Sequence, residues 1–145
     1  MMYKSILLPI DIAHIEHNKD NITAAMKFSD TSNTIWHLIY IETYTDILMP
    51  EYPGEAYNVI SRNDFYERMN QFADTVPYPR DKIKIHIGHG SVMYEILAYA
   101  NDTSIDLIII NQGRPRWSSF FVGSLASNLA RETKIPLLII PADNM

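Results

Sequence analysis

Cysteine is absent from this 145-residue chain. No disulfide can hold the fold, and neither a thiol nucleophile nor a cysteine-based metal cluster is available. Long apolar runs are absent too. The run that opens the chain covers only residues 3–9, too few for the core of a secretion signal or for a membrane span. A cytoplasmic protein with no membrane partner is therefore expected. Basic residues are in the minority, 12 against 17 acidic ones for a net charge of −5, which argues against a general nucleic-acid surface. A small anion is still allowed, because between Asn111 and Lys134 the cations Arg114, Arg116, Arg131 and Lys134 stand against Glu132 alone. What remains is globular in composition, 47% hydrophobic and 20% charged, and the length suits one domain over residues 1–145.

Five apolar segments have strand length. Residues 3–9 and 34–41 come first. Residues 82–87 alternate, with Ile83, Ile85 and Ile87 on one face and Lys82, Lys84 and His86 on the other, the period of a half-buried edge strand. Residues 105–110 and 137–140 are nearly continuous aliphatic runs, as in strands covered on both faces. The intervals between them carry helical spacing. Ile22, Ala25, Met26 and Ser29 form one stripe, and Val59, Tyr66, Met69, Phe72, Ala73 and Val76 a second, stopped by Pro77-Tyr78-Pro79. Ser91 reads as an N-cap after Gly88-His89-Gly90, ahead of Val92, Ile96, Leu97 and Ala100. A last helix over residues 124–133 turns Leu125, Leu129 and Ala130 inward. Residues 43–55 are irregular. Strand and helix alternate throughout, which predicts right-handed crossovers and an α/β fold: an open, doubly wound, five-stranded parallel sheet with helices on both faces, Rossmann-like. Such sheets bind ligands beyond the carboxyl ends of their strands, where the winding reverses.

The segment after the fourth strand, Asn111-Gln112-Gly113-Arg114-Pro115-Arg116-Trp117-Ser118-Ser119-Phe120-Phe121-Val122-Gly123-Ser124, holds two glycines with nine residues between them. Glycine lets backbone N–H groups approach an anion, and Ser124 adds a hydroxyl where a helix begins. The same residues can also do no more than close a strand and cap a helix. Residues alone leave both readings open.

The opening Lys4-Ser5-Ile6-Leu7-Leu8-Pro9-Ile10-Asp11, the order of elements and this loop resemble the universal stress protein family over almost the whole chain. Nucleotide-binding members carry Gly-x2-Gly-x9-Gly-Ser/Thr. Gly113, Gly123 and Ser124 match its latter part, and the loop is similar to that of an ATP-binding branch, while Ile110 stands where the pattern has its first glycine. The resemblance implies an adenine nucleotide, ATP or AMP, with any Mg²⁺ carried by the phosphates. It implies that Pro9 and Asp11 line the adenosine pocket and that Ile41 offers main-chain contacts to the adenine. Ile109 and Ile110 would lie under base and sugar, and Gly113, Gly123, Ser124 and Leu125 would meet the phosphates. Arg114 and Arg116 could pair with terminal phosphates. Asp11 has a competing reading as a turn residue, and Arg116 as part of a solvated loop.

No protein-built metal site is expected from the five histidines. His86 and His89 straddle a strand end, where alternation does not aim both at one point. No residue is placed as a catalytic base, so the expectation is a regulator rather than a dedicated enzyme, with at most weak ATP hydrolysis. A nucleotide-free interaction module, its loop filled by Ile110, Phe120 and Phe121, is the other reading. The final strand Leu137–Ile140 is unusually apolar for an edge. The resemblance implies a homodimer joined through it, and a covering helix would serve the same residues.

Overall fold

The computed structural model describes residues 3–11, 19, 23–28, 33–42, 62–111 and 125–140. Five strands form one sheet: β1 (Ser5–Pro9), β2 (Ile35–Glu42), β3 (Ile83–His89), β4 (Leu107–Asn111) and β5 (Leu137–Ile140). Their order is β3-β2-β1-β4-β5 and every pairing is parallel. Among the described residues the helices with full bounds are α1 (Arg62–Thr75), α2 (Val92–Asp102) and α3 (Ala126–Glu132). Residues 23–25 are helical and run into a 3-10 turn at Met26–Phe28, and a second 3-10 turn covers Arg80–Lys82. Chain order runs outward from β1 through β2 to β3, then jumps back to β4 on the other side of β1. The winding therefore reverses between β1 and β4. This is the open, doubly wound α/β sheet that the alternation predicts.

Alternation along each strand divides the interior into two cores. Ile6, Leu8, Trp36, Leu38, Tyr40, Ile83, Leu107 and Ile109 pack with Phe65, Met69, Phe72, Ala73 and Val76 of the α1 segment. Leu7, Ile39, Ile41, Ile108 and Ile110 pack with Ile96 and Ala100 of α2 and with Leu125 and Leu129 at α3. Trp36 is fully buried, in edge contact with Tyr78 at 6.5 Å, and its indole N–H has no hydrogen-bond partner. Burying its ring, about 150–250 Å² at ~25 cal/mol/Å², contributes about 4–6 kcal/mol, which exceeds the ~1–3 kcal/mol cost of an unpaired donor. Packing wins.

Two helical residues face otherwise than their spacing predicts. Tyr66 is 49% exposed, and Phe65 takes the buried place on α1, because the stripe that meets the sheet runs through 65, 69, 72, 73 and 76. Ala130 lies outward on α3, where Leu125 and Leu129 alone reach the core. The fourth strand begins at Leu107 rather than at residue 105. Asp106 instead ties the strand starts together, its carboxylate accepting from the Lys4 and Ser5 N–H groups at 3.0 and 3.1 Å. Ser91 occupies the N-cap position of α2 without a hydroxyl cap bond. Residues 43–55, with Ile22, Ser29 and Val59, lie outside the described residues.

Candidate functional site

The winding reverses between β1 and β4, and open sheets bind ligands beyond the carboxyl ends of their strands at such a point. Ala25, after β1, packs in one core and Leu129, after β4, in the other. β1 delivers Pro9, buried and paired in register with Ile39. The Ile10 N–H extends that ladder by donating to the Ile39 carbonyl at 2.8 Å. Asp11 follows at once, half-buried, where the ladder stops. β4 delivers Ile109 and Ile110, paired in register with Leu138 and Ile139 of β5. β2 ends one position beyond Ile41, at Glu42.

The aliphatic members of this set are spent on packing. Ile109 is fully buried in the α1 core. Ile41, Ile110 and Leu125 belong to the core beneath α2 and α3. Ile109 and Ile110 thus send their side chains to opposite faces, so what the pair can present to one ligand at the strand end is main chain. The branched side chain of Ile110, which replaces the glycine of the family pattern, is 1% exposed and packs among Ile39, Ile41, Leu125 and Leu129. Gly113, Arg114, Gly123 and Ser124, with Arg116, Phe120 and Phe121, lie outside the described residues. In the chain, the segment that carries them follows directly on the carboxyl end of β4.

The rim beside β2 holds groups that the spacing of residues did not single out. Gly90, with φ +112°, turns the chain out of β3, and its N–H donates to the Glu42 carbonyl at 3.0 Å. His89 Nδ1 lies 3.6 Å from Glu42 Oε2. One face over, the Tyr99 hydroxyl of α2 meets His37 Nδ1 at 2.7 Å, and the His86 ring lies 4.7 Å from the Tyr99 ring. His86 and His89 therefore serve opposite faces, as alternation requires. Burial pushes both His37 and His86 below the ordinary histidine value. The Lys84 cation adds to this at His37, and the Glu95 carboxylate opposes it at His86. Burial pushes the Tyr99 hydroxyl up. The only signal in the sequence for this cluster is that residue 37 falls at an inward position of an apolar strand. Among the described residues no group of three or more His, Asp or Glu is arranged to hold a metal ion, and no helix is long and apolar enough to cross a membrane.

A profile of the universal stress protein family matches residues 2–141. The chain belongs to the universal stress protein family. Among curated relatives it is similar to universal stress protein G of Shigella flexneri, 22% identical over 142 residues that cover 96% of this chain and 99% of that one. Among solved structures it resembles universal stress protein UspA from Lactobacillus plantarum, with a TM-score of 0.63, 19% identity and coverage of 97% and 99%. It also resembles a universal stress protein in complex with cAMP, with a TM-score of 0.64, 16% identity and coverage of 99% and 100%. At these identities the structural likeness establishes the fold. Family membership itself covers nearly the whole chain.

Proposed function

We propose that this universal stress protein binds an adenine nucleotide, ATP or AMP, at the carboxyl ends of β1, β2 and β4, and acts as a homodimeric regulator in the stress response. The observation that carries the reading is the winding reversal between β1 and β4, from which the Gly113-to-Ser124 segment departs. Pro9 and Asp11 line the adenosine side, and the main chain of Ile41 offers hydrogen bonds to the base. The main chain near Ile109 and Ile110 underlies the sugar, while Gly113, Gly123, Ser124 and Leu125 meet the phosphates with Arg114 beside them. That a family structure carries cAMP supports the ligand class. Mg²⁺ would come with the triphosphate and keep several waters. Any hydrolysis would be slow, since the sequence offers no residue evidently placed as a base for water attack.

Isothermal titration of the whole chain with ATP·Mg²⁺ and with AMP tests the reading. Saturable heat with one or both, lost in Gly123→Val, is the expected result. No heat with either nucleotide would leave the chain a ligand-free interaction module. The dimer would form along β5, whose outer edge has no strand beside it among the described residues and whose Ile139 is 46% exposed.

A further inference from the structure

We propose that His37, Tyr99 and His86 form an acid-sensitive latch that fastens α2 to the β2–β3 edge of the sheet, independently of any nucleotide. Register makes this a cluster. His37 of β2 lies opposite Lys84 of β3, and His86 of β3 lies opposite Ile39 of β2, so both imidazoles project from one face two positions apart. Tyr99 of α2 reaches both of them. Its hydroxyl shares a 2.7 Å hydrogen bond with His37 Nδ1, and its ring lies at 67° to His37 and 33° to His86, with centroids 5.5 and 4.7 Å away.

The charged and titratable neighbours decide what a proton does here. His37, only 8% exposed, faces Lys84 from β3 and Tyr99 from α2, while β1 offers it apolar Leu7. His86 faces Glu95 and Tyr99 from α2, and apolar Ile39 from β2. Protonating both rings would put three cations, His37, His86 and Lys84, beneath α2, with Glu95 as the counter-charge facing them among the described residues. The His37–Tyr99 bond itself would survive, with Nδ1–H donating to the phenol oxygen. The loss comes from uncompensated charge at a buried position. Burial holds both histidines below their ordinary value, so the folded chain binds fewer protons than the unfolded one. The latch is therefore at full strength above about pH 6.5 and weakens as pH falls below it.

Amide exchange and thermal unfolding of the nucleotide-free chain between pH 7.5 and 5.5 test this. The expected result is that exchange across residues 92–102, measured relative to residues 62–75 to cancel the intrinsic pH effect, speeds by about tenfold on acidification. The thermal midpoint should fall by about 3 °C or more over the same range, and His86→Gln should flatten both responses. His86 is the half-buried member of the pair and the safer substitution. In case His86→Gln weakens folding, the C2 proton of each ring in the unmodified protein gives a second readout by NMR, expected to titrate below pH 6.5. Histidines that titrate at or above pH 6.5, or an α2 exchange ratio that does not change with pH, would overturn the proposal.

Discussion

Gly88 of β3 is paired in register with Ile41 of β2. A Cβ built there would stand 2.9 Å from Ile41 Cδ1 and 3.1 Å from Glu95 Oε1. Glu95 can swing toward solvent, but Ile41 is held in the α2 core. Gly88→Ala should therefore displace Ile41 and lower unfolding stability by about 1–2 kcal/mol, as overpacking does elsewhere. Urea denaturation measures the loss. Under the proposed function Ile41 meets the adenine, so the same variant should also weaken nucleotide binding. Asp106 illustrates the other kind of single-residue role. As a residue read from its neighbours it is only a turn former, yet its carboxylate holds the N–H groups of two residues about a hundred positions earlier in the chain.

At the scale of elements, the two sheet edges differ. β3 closes one edge with seven residues, carrying exposed Lys84 and half-buried Lys82 just ahead of it. Lysine blunts such an edge against pairing. β5 closes the other edge with four aliphatic residues and no charge, and its Leu138 and Ile140 lean on the α1 core while Ile139 faces out. Ile139→Asp should leave the fold intact, since the side chain is nearly half exposed. Sedimentation at micromolar concentration should then report a monomer where the unmodified chain sediments as a dimer, and a monomer in both would defeat the β5 contact.

For the molecule as a whole, a ligand that binds only the folded state stabilises all of it. At a nucleotide concentration of 100 Kd the gain is about 2.7 kcal/mol, which for a chain of this length raises the thermal midpoint by about 8 °C. The shift should appear with ATP or AMP at pH 7.5 and vanish in Gly123→Val. Repeating it at pH 5.5 separates ligand from latch. The midpoint without ligand falls on acidification if α2 loosens, whether or not nucleotide binds.

The sheet was legible in the sequence because its cause is local. The aliphatic run 107–110 buries both faces as a parallel strand between helices, and the alternation of residues 83–87 marks an edge. The run 137–140, which reads as covered on both faces, lies at the other edge and leaves Ile139 46% exposed. The approximate helix positions followed from spacing in the same way. The face each helix presents did not, since Tyr66 and Phe65, or Ala130 and Leu129, differ by about 100° of helix rotation, which contact with the sheet selects. At the candidate site, the residues themselves pointed to the strand ends and to the two glycines of the loop, and it was the family resemblance that implied Pro9, Asp11 and Ile41. Tertiary structure alone decided that Ile109 and Ile110 give their side chains to opposite cores, and that His37, His86 and Tyr99 meet. Residues 37, 86 and 99 come from three elements, and only the β2–β3 register and the docking of α2 bring them within hydrogen-bonding and stacking range.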